Sequence, residues 1–104
     1  MKDNKFRTDF FNFLLDNIDI TEVASEYVKL RPAGFYLKGP CPFNKEEDDA
    51  FTVSPAKRIF FCFNCHASGD VVRFISKIKD LDREEAAIYL IKKYISGKGK
   101  ANEG

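Results

Sequence analysis

Several residue types are scarce or missing in this sequence, and each absence excludes a class of protein. Tryptophan is absent, histidine and methionine occur once each, and cysteine occurs three times. An odd cysteine count does not fit a complete disulfide framework, so reduced thiols are expected. No apolar run approaches the ~20 residues of a membrane span, and the N-terminal segment lacks the apolar stretch of a signal peptide. The sequence therefore predicts a soluble, cytoplasmic protein with no membrane partner.

The charge balance and the size of the chain set two further limits. Lysine and arginine total 17 residues against 16 acidic residues, which gives a net charge of +1 in a chain of 104 residues. This balance lacks the positive excess of a strongly basic nucleic-acid binder, so any such function must come from a local patch. The length suits one domain, and so small a core gains from a staple such as a metal ion.

Helical periodicity begins near the N-terminus. The apolar residues within 8–18 predict a first helix, with Thr8 or Asp9 as its N-cap. A capping-box pattern starting at Asp19 predicts a second helix, which Pro32 and Gly34 end.

The middle of the chain changes to aromatic and β-branched residues before the helical period returns. Three short strands are predicted, at residues 35–37, 51–53 and 59–61. After Gly69 a third helix is predicted with Asp70 as its cap. Asp82 and Glu85 form the capping-box pattern of a fourth.

The three cysteines fall in this strand-rich middle with the spacing of a zinc ribbon. Cys41 and Asn44 flank one short turn, and after 17 intervening residues Cys62 and Cys65 flank another. Two such turns joined by strands bring their side chains to one tetrahedral ion, so zinc held by the three cysteines is predicted. The fourth position holds Asn44, a poor zinc ligand, which leaves Asn44, water or His66 as the fourth ligand. A weak or empty site is the remaining alternative.

Three other interpretations of the cysteines are open. Free cysteines are often small buried hydrophobic residues. The pair Cys62 and Cys65 also has the spacing of a redox dithiol, but no βαβ pattern surrounds it. With His66 the pair matches a c-type haem attachment motif, yet there is no export signal and Met1 is the only methionine. No haem is therefore expected.

These patterns together predict an α+β fold in which a small antiparallel zinc-ribbon sheet is flanked by N- and C-terminal helices. Residues 1–95 are expected to form this domain. Residues 96–104 contain one alanine and no larger apolar side chain, so they are expected to be a linker or disordered tail.

Over about residues 16–95 the sequence resembles the N-terminal CHC2-type zinc-binding domain of bacterial-type DNA primases. The resemblance rests mainly on three runs, which are Cys41-Pro42-Phe43-Asn44-Lys45-Glu46, Phe51-Thr52-Val53-Ser54-Pro55 and Cys62-Phe63-Asn64-Cys65 through Gly69-Asp70. The segments Ser25–Leu30 and Glu85–Leu90 are similar to helices of that domain. The family's ligands are Cys, His, Cys and Cys, and the matching positions here are Cys41, Asn44, Cys62 and Cys65.

The resemblance also implies a function. In that family the domain contacts the single-stranded DNA template and helps select where RNA primer synthesis starts in DNA replication. The polymerising chemistry, that of a nucleotidyltransferase, resides in a separate primase catalytic domain, which acts in cis or in trans. A replicative helicase is a further candidate partner.

The chain alone is expected to be non-catalytic. It shows no paired carboxylates, no nucleophile–base pair and no glycine-rich phosphate loop. The acidic run Glu46–Asp49 is interpreted as a solvated loop rather than a magnesium site. The alternative function is a standalone zinc module that mediates protein interaction or regulates a replication enzyme.

Basic and aromatic residues near the predicted strands suggest where single-stranded DNA binds. Aromatic faces stack on bases while lysine and arginine contact phosphates. The candidate DNA-binding residues are Arg31, Lys38, Lys57, Arg58, Phe60 and Arg73. Lys57 and Arg58 are favoured because no carboxylate lies within five residues of them in the sequence. About half of the strand phenylalanines must face the core.

Overall fold

Two helices precede a five-stranded sheet and two further helices follow it, an α+β arrangement as the sequence predicts. This computed structural model describes residues 2–43, 50–63 and 65–96. The α-helices are α1 Lys2–Asn17, α2 Ile20–Ser25, α3 Val71–Lys79 and α4 Arg83–Leu90, and α4 continues into the π-helical segment Ile91–Ser96. The strands are β1 Arg31–Ala33, β2 Tyr36–Gly39, β3 Phe51–Ser54, β4 Ile59–Cys62 and β5 Ser68–Gly69. None of the described helices is both long enough and apolar enough to cross a bilayer.

The first helix begins earlier than the sequence analysis predicts. Thr8 and Asp9 lie inside α1 instead of capping it. Neither proline nor glycine occurs in residues 2–17, so nothing in the sequence stops the helix before Thr8. Phe11, Leu14 and Ile18, at helical spacing, are buried and dock α1 and its C-terminal end on the core.

Aspartates cap the other three helices. The Asp19 carboxylate accepts a hydrogen bond from the Thr21 N–H at 2.9 Å, and the Asp70 carboxylate accepts one from the Arg73 N–H at 2.9 Å. Asp82 and Glu85 form the predicted reciprocal capping box, with bonds of 2.8 and 3.1 Å. Each carboxylate satisfies a backbone donor that the first helical turn leaves unpaired.

The sheet is antiparallel and larger than the sequence analysis predicts. Its strand order is β1-β2-β3-β4-β5, so two strands join the three expected. Pro32 lies in β1 instead of ending a helix, and a proline is tolerated there because β1 is an edge strand. Gly34, with φ of +69°, makes the turn into β2. β5 has only two residues, too few to give a sequence pattern.

The period-two alternation of strands gives the sheet two different faces. Val53 on β3 pairs with Phe60 on β4, and both side chains are fully buried against the helices. The adjacent pair, Thr52 and Phe61, therefore lies on the opposite face.

The core under the inner face is an aromatic cluster. Phe51, Phe60 and Phe74 are fully buried, with ring centroids 5.6–5.8 Å apart. Phe43, two residues after Cys41, packs on all three at 5.6–6.0 Å. The cluster thus ties α3 to the sheet and to the turn that carries the first cysteine.

Perturbed ionisable groups lie in a second cluster that joins α2 to the C-terminal segment. The Lys93 ammonium lies 2.6 Å from the Glu26 carboxylate, and this pair lowers the pKa of Glu26 and raises that of Lys93. Burial, with a hydrogen bond to the Tyr89 hydroxyl at 3.2 Å, raises the pKa of Tyr27 to about 12. Burial likewise raises the pKa of Tyr94. The cluster holds the C-terminal segment in place.

Replacing Phe74 with alanine tests the aromatic cluster. The substitution Phe74→Ala should lower the free energy of unfolding by about 3–5 kcal/mol, because it removes a buried ring and leaves a cavity. The matched substitution Phe13→Ala, at a ring that is 52% exposed, should cost less than about 1 kcal/mol. Urea unfolding measures both, and equal losses would contradict the packing described.

Candidate metal centre and nucleic-acid interface

The three cysteines meet at one end of the sheet. The sulfur atoms of Cys41, Cys62 and Cys65 all lie within 4.8 Å of one another, and those of Cys41 and Cys65 are 3.6 Å apart. Cys41 and Cys62 are buried, whereas Cys65 reaches the surface. The fold therefore brings two turns to one point although they are separated in sequence.

Backbone hydrogen bonds shape the second turn. The His66 N–H donates to the Cys62 carbonyl at 2.8 Å, and the Cys62 N–H donates to the Ala67 carbonyl at 2.8 Å. The Cys65 N–H points at the Cys62 sulfur, 3.4 Å away. An N–H directed at sulfur stabilises the thiolate form, which is the form that ligates metal.

The geometry and chemistry of the three sulfurs fit zinc. At a Zn–S length of about 2.3 Å, tetrahedral ligands lie about 3.8 Å apart, close to the separation of Cys41 and Cys65. Thiolates are the ligands that zinc prefers in closed structural sites. When bound, the ion would clamp the Cys41 turn to the end of β4.

A groove lies on the face of the sheet opposite the core. Its volume is about 420 Å³, within the ~300–1,000 Å³ range of ligand sites. The lining residues come from β2, β3, β4 and the turns beside them, and they are Tyr36, Lys38, Thr52, Ser54, Lys57, Ile59, Phe60, Phe61 and Phe63.

Aromatic rings and ammonium groups face this groove together. The Phe61 and Phe63 rings pack edge to face with centroids 4.6 Å apart, and the Lys38 ammonium lies 5.2 Å from the centroid of Phe63. Tyr36 is 45% and Phe63 60% exposed, unusually open for aromatic residues. Stacking surface and positive charge are thus available on one face.

Three of the predicted basic DNA-binding residues lie at or beside the groove. Lys38 and Lys57 line it. Arg31 is exposed on β1 directly opposite Lys38, and opposed residues on neighbouring strands share a face. Arg73 lies elsewhere, on the exposed side of α3, where its side chain covers Gly69 at the β5 edge.

Arg58 has a carboxylate partner that is distant in the sequence. Its guanidinium donates to the Asp16 carboxylate at 3.2 Å and to the Leu15 carbonyl at 3.1 Å. These bonds fix the turn between β3 and β4 to the C-terminal end of α1, and Arg58 itself has a φ of +60°. The absence of acidic neighbours in sequence was therefore the wrong criterion for this residue.

The structure corrects the predicted interface at Phe60. Its ring is fully buried in the aromatic cluster, so the ring cannot stack on a base without unpacking the core. The rings on the groove side are those of Tyr36, Phe61 and Phe63, which are not among the six candidate DNA-binding residues. Strand alternation could have found Phe61, because it follows a core residue by one position.

Comparison with known proteins places this site in a family. The family model of the CHC2 zinc finger matches residues 6–101 of the chain. The chain belongs to the CHC2 zinc finger family. The match spans the three cysteines and the whole described sheet, so it confirms the zinc-ribbon interpretation and the resemblance seen in the sequence.

Relatives of this CHC2 domain are DNA primases. The DNA primase of Rickettsia prowazekii is 42% identical over 86 residues, which are 83% of this chain and 14% of that protein. The DNA primase of Aquifex aeolicus is 43% identical over 77 residues, 74% of this chain and 16% of that protein. A crystal structure of the zinc-binding and RNA polymerase domains of the Aquifex aeolicus primase matches with 40% identity and a TM-score of 0.77, over 82% of this chain and 21% of that one. The chain is thus a zinc-binding domain of the DNA primase type, and it spans under a fifth of the two full-length relatives.

The fourth ligand position of the CHC2 site is where this chain departs from the family pattern. Asn44, which stands where the family has histidine, lies outside the described residues, as does the acidic run Glu46–Asp49. His66 is exposed, has a left-handed backbone with φ of +65°, and is not part of the group formed by the three sulfurs. The geometry therefore supports three thiolate ligands and gives no support to His66 as the fourth.

Substitutions at the two candidate positions test the coordination. Zinc should bind at one ion per chain, and Asn44→His should tighten binding because imidazole is a better zinc ligand than an amide. His66→Ala should leave the affinity unchanged, while Cys62→Ser should lower it by more than about tenfold. Competition with a chromophoric chelator measures all four proteins, and a large loss in His66→Ala would assign the fourth position to His66.

Proposed function

We propose that this chain is the zinc-ribbon module of a DNA primase, which binds single-stranded template DNA and helps select the priming site. The observation that carries the proposal is the groove on the outer face, where aromatic rings and ammonium groups lie together. Proteins that bind single strands combine stacking rings with cations that follow the phosphates.

The groove supplies both parts of such an interface. Phe61, Phe63 and Tyr36 offer ring faces or edges to bases, while Lys38 and Lys57 stand at its margins. Among the described residues that line it there is no carboxylate to repel phosphate. The net charge of +1 is therefore no obstacle, since the positive charge is local.

The metal centre supports the groove directly. Phe63 lies between Cys62 and Cys65 in the zinc-binding turn, and its N–H donates to the Ala50 carbonyl at 2.9 Å. Its ring forms one wall of the groove beside Phe61. Zinc bound by the two flanking cysteines would hold this wall in position, so metal binding and template binding are coupled.

The catalytic step belongs elsewhere in this proposal. Phosphoryl transfer to a growing strand needs triphosphate clamped by metal ions and carboxylates. The three-cysteine centre offers thiolates, the typical ligands of structural zinc, and none of its three ligands is a carboxylate. A primase catalytic domain, linked to this module or acting in trans, would synthesise the primer, and a replicative helicase remains a candidate partner.

Neutralising Lys57 tests the proposed interface. Fluorescence anisotropy with a labelled single-stranded oligonucleotide, over a range of salt concentrations, gives the affinity and its salt slope. Lys57→Gln should weaken binding and reduce the slope by about 0.7, the value for one phosphate contact on a single strand. Lys92→Gln, an exposed lysine outside the groove, is the matched control and should change neither.

If the wild-type protein is folded and has bound zinc but does not bind the oligonucleotide, this result would favour the protein-interaction alternative. Equal effects of the two lysine substitutions would remove the groove from the interface.

Arg58 gives a separate prediction in the same assay. Because the Asp16 carboxylate already compensates its charge, Arg58→Gln should leave the salt slope within error of the wild type. It should instead lower the free energy of unfolding slightly, by up to about 1 kcal/mol, since this ion pair is exposed. A loss of slope equal to that of Lys57→Gln would show that Arg58 leaves Asp16 and contacts phosphate.

A further inference from the structure

The floor of the groove contains a polar group without a partner. Thr52 is 9% exposed, lines the groove, and its buried hydroxyl makes no hydrogen bond in the structure. The neighbouring hydroxyl on the same strand differs, because the Ser54 oxygen accepts a hydrogen bond from the Lys57 N–H at 3.3 Å. Thr52 is thus a groove-lining residue whose buried hydroxyl lacks a partner.

An unpartnered buried hydroxyl destabilises a fold, since it gives up hydrogen bonds to water and receives none in return. Valine has nearly the same shape, the same β-branching and a higher preference for strands, so it would serve the fold at least as well. A threonine at this position therefore requires a reason other than stability.

A ligand that forms a hydrogen bond with the Thr52 hydroxyl would supply this reason, and the neighbours of Thr52 indicate its chemistry. Its direct cross-strand partners are Lys38 on β2 and Phe61 on β4, so Thr52 shares the outer face with a cationic and an aromatic residue. A base stacked on the ring would bring its polar edge next to Thr52. The hydroxyl is buried in the structure, and a rotation of about 120° about χ1 to another staggered position would turn it toward such a base.

We propose that Thr52 is a specificity-determining residue, whose hydroxyl forms a hydrogen bond with the edge of an unstacked base of single-stranded DNA in the groove. This inference rests on the proposed function and adds how the groove distinguishes bases. Stacking tolerates any base and phosphate contacts carry no sequence information. A hydroxyl both donates and accepts, so its bond depends on the groups at the base edge.

The substitution Thr52→Val tests this role with homopolymers of dT, dC and dA of about 12 residues as probes. The wild type should prefer one of these strands, and Thr52→Val should reduce that preference about fivefold, the equivalent of one hydrogen bond of ~1 kcal/mol. The salt slope should not change, because no phosphate contact is lost. Lys57→Gln should do the reverse, reducing the slope and keeping the preference.

Thr21→Val is the matched structural control. Thr21 also has a buried hydroxyl without a partner, but it lies on α2 and does not line the groove. Both valine variants should keep or raise the melting temperature, since each removes an unsatisfied polar group. Only Thr52→Val should alter the preference among strands, which separates base recognition from a change in stability.

The outcomes separate this inference from the function on which it rests. If Lys57→Gln lowers the salt slope while Thr52→Val keeps the wild-type preference, the base-reading role is overturned and template binding stands. A wild type that binds all three homopolymers equally also overturns it. If no strand binds to the folded, zinc-loaded protein, the proposed function itself fails.

Discussion

The alternation of side chains along β4 is the constraint on which the core, the metal centre and the groove all depend. Phe60 and Cys62 point to the inner face, where one joins the aromatic cluster and the other the metal centre. Ile59 and Phe61 point to the outer face and line the groove. A slip of one residue in the pairing with β3 would exchange the two sets and abolish all three features at once. The complementary alternation of Phe51, Thr52 and Val53 on β3 fixes this register.

A domain of this size has a small core, so the sheet gains stability from an additional constraint such as a bound metal ion. The cysteines join the turn before residues 44–49 to the end of β4, thereby closing the end of the sheet opposite the turn between β3 and β4. Phe43 adds a second attachment, because it follows Cys41 closely and packs on the aromatic cluster. Zinc binding is in this sense part of folding, since the three thiolates converge only in the folded chain.

Local patterns in the sequence predict what local chemistry controls. The cysteine spacing, the caps at Asp70 and Asp82, and the strands around Phe51 and Phe60 all depend on near neighbours, and all are present in the structure. The predictions that were wrong depend on contacts between residues distant in the sequence, or on the face of the sheet to which a side chain points. The ion pair of Arg58 with Asp16 spans 42 residues, and no local window contains it.

Phe60 and Phe61 show the same limit at the site. They are adjacent and chemically identical, yet one is core and the other faces the groove, a difference that only the register decides. Pro32 was read as a helix stop because proline does end helices, but an edge strand accepts it equally well. Sequence patterns thus predicted the three cysteine ligands and most of the helices and strands, while the assignment of faces required the sheet.

The groove carries few positive charges, and their number affects how tightly a template-binding module would hold a single strand. Two lysines line it, with Arg31 beside it, so few counterions are released on binding and the affinity of the isolated chain for a single strand is expected to be modest. Modest affinity suits a module that is joined to a catalytic domain. When that domain holds the template, the linkage raises the effective concentration of the template near the module without any new contact. In the proposed function the charges would only retain the strand, and discrimination between bases would fall to the Thr52 hydroxyl. Strong phosphate binding would work against selection of a priming site, since it would hold every sequence equally well.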